Sequence, residues 1–250
     1  MKKFQVKKDN QIFSRFEFKY IINKHLSKII QQEVKNFTIN DYFTKNKDKY
    51  LVRSLYFDND IFSNFNEKID GIKNRHKFRI RTYSIQKNEL IPMYLEMKGR
   101  DNLRTFKNRT KIDIDDLNSF CSSKSLFNIK NKYMDNKLIE HFIFDSYKKK
   151  IQPKVIIDYE RRALLSKNGL YFRLTFDSDI KACSSKNIFE ENHNWKVCIP
   201  GNDILEVKFD LNIPAWFHRI IQNYQLKRVS VSKFVLGMEN SNLAHDYESI

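Results

Sequence analysis

The sequence predicts an α+β protein whose antiparallel strands curl into a barrel, with helices packed outside and charge gathered inside. Three observations predict this. Short segments along the 250-residue chain alternate polar and apolar residues with a period of two, the mark of strands with two unlike faces. At least six of these segments repeat Arg or Lys on the polar side, where a solvated face would mix Thr, Ser, Gln and Asn. The formal charge is +16, from 46 Lys and Arg against 30 Asp and Glu, which favours an anionic partner. A barrel has one face outward and one lining its interior. If the apolar faces meet helices, the cationic faces line a lumen that repels itself when empty and attracts a chain of phosphates.

Arg15 to Ile22 sets Arg15, Glu17 and Lys19 against Phe16, Phe18 and Tyr20 and predicts the first strand. Asn23 can cap a helix to about Asn36 with Leu26, Ile29, Ile30 and Val34 as its apolar stripe. Residues 38–49 are polar and predict a loop. Tyr50 to Phe57 is a strand ended by Asp58-Asn59-Asp60, followed by a short helix to Glu67 and a turn at Asp70-Gly71. The most informative stretch is Arg75-His-Lys-Phe-Arg-Ile-Arg-Thr-Tyr83. It points Arg75, Lys77, Arg79 and Arg81 one way and His76, Phe78 and Ile80 the other. Neighbouring charges in such a row stand about 6.5–7 Å apart and repel.

Ile91 to Arg100 follows, with Tyr94, Glu96, Lys98 and Arg100 together, and then Phe106 to Ile112, with Lys107, Arg109 and Lys111. Residues 113–150 read as helical in two segments broken near Ser122-Ser123. Pro153 to about Leu165 is a strand, turned by Lys167-Asn168-Gly169. Leu170 to Asp177 returns with Tyr171, Arg173, Thr175 and Asp177 on one side. Residues 178–203 read as irregular. Ile204 to Asp210 sets Glu206, Lys208 and Asp210 against Leu205, Val207 and Phe209. Pro214 opens a helix to about Tyr224, and Lys227 to Val235 is a final strand or a strand-to-helix segment. No internal repeat and no Gly/Ser linker divides the chain, so 1–250 is read as one domain.

Other classes are excluded. Cys121, Cys183 and Cys198 are odd in number and lack C-x-x-C spacing, so free thiols in a reducing compartment are expected, with no disulfide framework or zinc site. The N-terminus has no apolar signal region and no stretch approaches about 20 apolar residues, so the expected location is the cytoplasm. The five glycines form no phosphate-binding loop, leaving side chains to bind any phosphate. Most aromatics lie opposite the cations, which disfavours nucleic acid as the partner.

Several motifs in order resemble one family. In the first half these are Arg15-x-Glu17-x-Lys19-Tyr20, Val52-Arg-Ser-Leu-Tyr-Phe-Asp58, Arg75-x-Lys77-x-Arg79-x-Arg81-x-Tyr83 and Leu95-Glu-Met-Lys98. In the second half they are Tyr159-Glu-Arg161, Arg173-Leu-Thr-Phe-Asp177, Ile204-Leu-Glu206-Val-Lys208-Phe209 and Ser232-Lys233-Phe234. The set resembles the VTC domain, the catalytic domain of the vacuolar transporter chaperone complex and of prokaryotic polyphosphate polymerases, within the triphosphate tunnel metalloenzyme (CYTH-like) superfamily. It spans about residues 13–240.

The resemblance implies an eight-stranded antiparallel tunnel barrel that passes the γ-phosphoryl group of ATP to a growing polyphosphate chain. It implies catalytic roles for Lys19, Arg79, Arg81, Lys98, Arg161, Arg173, Lys208 and Lys233. Arg15, Lys77, Arg100, Lys107, Arg109, Tyr159 and Ser232 would bind phosphate. Glu206 would hold Mn²⁺ or Mg²⁺, with Glu17 and Glu96 as further candidate ligands. Phosphoryl transfer needs positioning and cations more than covalent help, which suits a chain offering no Ser–His pair. Many tunnel enzymes begin Glu-x-Glu-x-Lys; Arg15 replaces the first carboxylate here and argues against a hydrolase needing several. Two alternatives stay open: a phosphoanhydride hydrolase acting on tripolyphosphate or a nucleoside triphosphate, and a non-catalytic polyanion-binding module. Whether the segment after Lys233 closes one tunnel mouth is also open.

Overall fold

The computed structural model describes residues 16–44, 47–102, 104–167, 171–190 and 194–245. Its strands are β1 (Phe16–Asn23), β2 (Thr38–Asn40), β3 (Tyr50–Asp58), β4 (Arg75–Thr82), β5 (Met93–Asp101), β6 (Arg104–Ile112), β7 (Gln152–Ser166), β8 (Phe172–Ser184), β9 (Lys196–Val197) and β10 (Asn202–Phe209). Its helices are α1 (Lys24–Glu33), α2 (Ser63–Ile69), α3 (Leu117–Cys121), α4 (Leu126–Lys132), α5 (Lys137–Lys148), α6 (Ala215–Asn223) and α7 (Lys233–Asn240). Eight strands form one antiparallel path in the order β1-β10-β8-β7-β3-β4-β5-β6, with β2 added on β7 and β9 on β8. The path ends at β1 and β6, which share no ladder among the described residues. The sheet nevertheless curls far enough for Lys98 on β5 to reach Glu17 on β1 at 3.5 Å.

Residues directly opposed across an antiparallel pair share a face. The register sets Lys19 opposite Glu206, Glu206 opposite Thr175, Asp177 opposite Arg161, Ser54 opposite Arg81 and Arg79 opposite Glu96. The polar residues of the separate strands therefore fall on one surface, the concave one. A slip of one residue would turn them all outward.

The convex face carries the apolar residues. Leu55, Phe57, Phe78, Ile80, Leu95 and Met97 pack under α3, α4 and α5, where Phe142 meets Phe57 and Phe78 edge-on at 5.1 and 5.3 Å. Tyr20, Ile22, Phe172, Leu174, Leu205 and Val207 pack under α1 and α6 through Ile30, Phe217 and Ile220. Local chemistry starts these helices. The Asn23 side chain accepts the Leu26 N–H at 2.8 Å and caps α1. Asp58, fully buried, accepts the N–H groups of Asn59, Asn64 and Phe65 and so ties the end of β3 to α2. Gly99 leaves room for the Phe106 ring directly opposite it, whose nearest atom would lie 2.1 Å from an added Cβ.

Four expectations change. Residues 38–49 are not all loop: β2 pairs with β7, and the Thr44 hydroxyl bonds the Asp41 and Ala163 carbonyls at 2.9 and 3.0 Å. Residues 113–150 hold three helices where the composition suggested two, because Asn136 supplies a further cap by accepting the Ile139 N–H. Residues 178–203 are not irregular throughout. β8 runs on to Ser184 past a register shift where Asp179 takes φ 53°. Residues 227–232 are not a strand, although the Val229 N–H bonds the Lys19 carbonyl at 2.9 Å and lays this segment along β1.

α7 answers the question about the C-terminal segment. Phe234 and Met238 pack with Val155, Ile157, Ile180, Ala182 and Ile204, and Ile157 stands opposite Ser54 on the concave face. α7 thus fills part of the inner side. Gly237 permits the approach: an added Cβ would lie 2.7 and 2.9 Å from Ile157 Cδ1 and Cγ1. Alanine would gain up to about 1 kcal/mol of helix propensity and lose it to that contact. Gly237→Val should cost about 1–3 kcal/mol in chemical denaturation, the usual range for overpacking. Among the described residues, no helix is long and apolar enough to cross a membrane.

Candidate active site

Four carboxylates on the concave face organise the cations. Glu96, fully buried, takes Arg79 at 2.6 Å, Lys107 at 2.6 Å and Arg81 at 3.8 Å. Asp177, also fully buried, accepts both Nε and Nη2 of Arg161 at 2.6 and 2.7 Å and meets Lys233 Nζ at 2.6 Å. Lys208 Nζ lies 2.6 Å from Glu206 and 3.6 Å from Glu17. Glu17 also holds Lys19 at 3.2 Å. Tyrosines and a serine steer the guanidiniums. Arg79 donates to the Tyr56 hydroxyl at 2.7 Å, and Arg81 donates to Ser54 Oγ and the Tyr159 hydroxyl at 3.1 and 3.2 Å. Lys19 Nζ also donates to the Val231 carbonyl at 3.0 Å, fastening the segment before α7.

Burial alone would push these carboxyls up; their cations win. Burial and Glu206 raise the Glu17 carboxyl, but Lys98, Lys208 and Lys19 hold it at about 2. Burial likewise opposes ionisation of Glu206, which Lys208, Lys19, Arg161 and Lys233 keep well below the usual range. Asp177 and Glu96 are lowered in the same way, by Arg161 with Lys233 and by Arg79 with Arg81 and Lys107. A carboxyl depressed on folding stabilises fully above its unfolded value, and that stability is lost as pH falls toward the folded value. Folding free energy should therefore drop steeply between about pH 4.5 and pH 2, read by denaturation at a series of pH values. Glu17→Gln should flatten the drop.

Cations outnumber the acids that neutralise them. Burial pulls the Lys107 ammonium down to about 7, with Arg79 and Arg81 adding to the pull and Glu96 only partly offsetting it. Lys77 has no carboxylate partner among the described residues. It rests over the Phe234 ring at 4.6 Å, and burial together with Lys98, Lys19, Lys68 and Arg79 lowers it well below an ordinary lysine. Cys121 is half-buried and Cys183 and Cys198 are buried, and this burial pushes their thiols up to about 12, 12 and 11, so they are inert bystanders.

The structure gathers Lys19, Lys77, Arg79, Arg81, Lys98, Lys107, Tyr159, Arg161, Glu206, Lys208 and Lys233 around one interior. Arg173 faces the same way but is claimed by Asp41 at 2.6 Å. Arg100 sits at the rim, donating to the Asn102 carbonyl at 2.6 Å. Arg109 is exposed over the Tyr94 ring at 4.9 Å. Ser232 occupies the N-cap position of α7 without a side-chain capping bond. Arg15 lies outside the described residues.

Asp177, Tyr56, Ser54 and Asp41 escaped the list of candidates. Alternation had already put Asp177 beside Arg173 and Thr175. Tyr56 and Ser54 read as ordinary strand residues, and Asp41 sat in an expected loop.

Among the described residues, no group of three or more His, Cys, Asp and Glu side chains is placed to hold a metal ion. Glu96 is paired with Arg79 and Lys107 and has no second carboxylate beside it on its own or the facing strands. Glu17 and Glu206 are diagonal neighbours on β1 and β10 that share Lys208. A divalent ion arriving with phosphate oxygens needs only one or two carboxylates, so this pair fits a metal carried in by the substrate.

A curled antiparallel sheet with helices outside and this concave cationic lining has the architecture of a tunnel protein. The VTC domain model matches residues 14–242, and the chain belongs to that family. Comparison with curated protein sequences gave no match. Among solved structures, a Hippeastrum protein described as a candidate adenylyl cyclase with a dominant triphosphatase activity aligns at TM-score 0.52 and 10% identity, covering 90% of this chain and 96% of that one. A Pyrococcus horikoshii protein aligns at TM-score 0.47 and 12% identity over 90% of this chain and 98% of its own. A candidate adenylate cyclase of Bacillus halodurans aligns at TM-score 0.47 and 13% identity over 88% and 95%. At these identities the Hippeastrum likeness speaks for the fold.

Proposed function

We propose that this chain is a polyphosphate polymerase that transfers the γ-phosphoryl group of ATP to a growing polyphosphate chain in the basic tunnel. The observation that supports it is the convergence of Arg79, Arg81, Arg161, Lys208 and Lys233 on one interior, in a member of the VTC domain family. Arg81 meets its nearest carboxylate only at 3.8 Å, so its guanidinium keeps donors for substrate. Arg161 and Lys233 share one carboxylate, so their joint charge exceeds what Asp177 cancels.

The acceptor's terminal phosphate oxygen forms the new P–O bond, the bond between the β–γ bridging oxygen and the γ-phosphorus breaks, and ADP leaves with that electron pair. The acceptor oxygen is already ionised, so no residue need remove a proton. Cations aimed at the equatorial oxygens and the leaving group lower the barrier. A Mn²⁺ or Mg²⁺ ion held by Glu206 and Glu17 would add Lewis-acid stabilisation of those oxygens.

Incubation of the pure protein with ATP and Mn²⁺ should give long polymer and ADP, and Glu206→Ala should reduce both. Orthophosphate without polymer would select a phosphoanhydride hydrolase. Tight, salt-sensitive binding of polyphosphate without turnover would leave a binding module.

A further inference from the structure

One buried hydroxyl in the centre of the concave face has no partner. Thr175 on β8 is 1% exposed, and its Oγ1 makes no hydrogen bond among the described residues. The polar groups around it are engaged elsewhere. Along its own strand, Arg173 is taken by Asp41 at 2.6 Å, and Asp177 by Arg161 and Lys233, each at 2.6 Å. On β7 the residue directly opposite is Ala163, which offers only a methyl group. On β10 the residue directly opposite is Glu206, whose Oε1 is held by Lys208 at 2.6 Å. A buried hydroxyl without a bond costs free energy, and an apolar side chain of the same shape would avoid that cost. Valine suits a strand equally well, so packing and strand formation do not account for a hydroxyl here.

Directly opposed residues carry Cβ atoms about 4.5–5.5 Å apart, so rotation of the Glu206 side chain brings its carboxylate within reach of the Thr175 hydroxyl. In the free protein Lys208 occupies that carboxylate instead. A phosphate oxygen competes for the same ammonium. When Lys208 turns to it, Glu206 loses the contact at 2.6 Å, while Lys19, Arg161 and Lys233 still favour its ionised form. A hydroxyl can then donate to one carboxylate oxygen and leave the other free. We infer that Thr175 is a positioning residue: in the substrate complex its hydroxyl donates to Glu206 and aims the carboxylate at the divalent ion that arrives with the phosphates. Outer partners of this kind fix the orientation of a ligating group. This role rests on the reading of Glu206 as the metal ligand, but it concerns binding and needs no turnover.

The test compares the parent with Thr175→Val, which removes the hydroxyl and keeps the branched shape, with Thr175→Ser, which keeps the hydroxyl, and with Glu206→Ala. Calorimetry measures the affinity of each for imidotriphosphate, a triphosphate that resists hydrolysis, with Mn²⁺ and without. Thr175→Val should weaken the Mn²⁺ complex by about tenfold or more, the usual loss when the outer partner of a metal ligand is removed, and leave the metal-free ligand within about twofold. Thr175→Ser should bind both as the parent does. Without ligand, Thr175→Val should melt at or above the parent, because an unbonded buried hydroxyl has gone. Equal losses with and without Mn²⁺, a loss in Thr175→Ser as large as in Thr175→Val, no loss, or a lower melting point would each overturn the role of Thr175. If Glu206→Ala weakens the Mn²⁺ complex and Thr175→Val does not, Glu206 stays the metal ligand and Thr175 is a packing residue. If neither weakens it, both assignments fall. A protein that shows the expected pattern yet makes no polymer would refute the polymerase reading and leave Thr175 in its role.

Discussion

Asp177→Ala should lose about 3–5 kcal/mol of folding stability, the usual result of stripping one partner from a buried ion pair. Asp177 is fully buried and holds Arg161 through two hydrogen bonds at 2.6 and 2.7 Å, with Lys233 at 2.6 Å. Without it, two cations with side chains only 10% and 11% exposed confront each other across an unfilled gap. Glu206 acts on both but is already engaged by Lys208 at 2.6 Å. Denaturant titration measures the loss. Tripolyphosphate should restore much of it, because bound phosphate oxygens replace the missing carboxylate and a ligand that binds only the folded state stabilises by mass action. A loss under about 1 kcal/mol would show that the charges are not buried together.

Arg81→Lys should lower kcat by about 10²–10³-fold, as removal of a preorganised donor does at a developing oxyanion. Arg81 is 7% exposed on its side chain, and Ser54 and Tyr159 aim it while leaving it the central guanidinium least engaged by carboxylate. Lysine keeps the charge and loses the planar fork that grips two phosphate oxygens at once. The effect should fall on kcat more than on the affinity for tripolyphosphate, and steady-state kinetics beside direct binding separates the two. An equal loss in both would make Arg81 a ground-state anchor.

Most of this architecture was legible in the strands. Period-two alternation found β1, β3, β4, β5, β6, β7 and β10 to within a few residues, because each must bury one face under helices and keep the other for charge. It failed where position depends on tertiary contact. β8 continues past Asp177 because β7 offers it a partner beyond a bulge at Asp179, and local composition carries no trace of that. Residues 227–232 alternate like a strand but are held to β1 by the Val229 N–H and by Lys19 Nζ. The cations of the site were legible because at least six strands repeat them. Their anchors were less so. Asp177 looked like one more polar strand residue until the register placed it against Arg161 and α7 delivered Lys233.

The inner position of α7 orders events during synthesis. Every described strand leaves the ribosome before Lys233 and Phe234 do, so the nascent sheet must wait with Val155, Ile157 and Ile180 uncovered and Asp177 short of one counterion. This helix both covers the inner side of the sheet and brings Lys233 to Asp177, and a translation product cut short before it would carry the sheet without either contact.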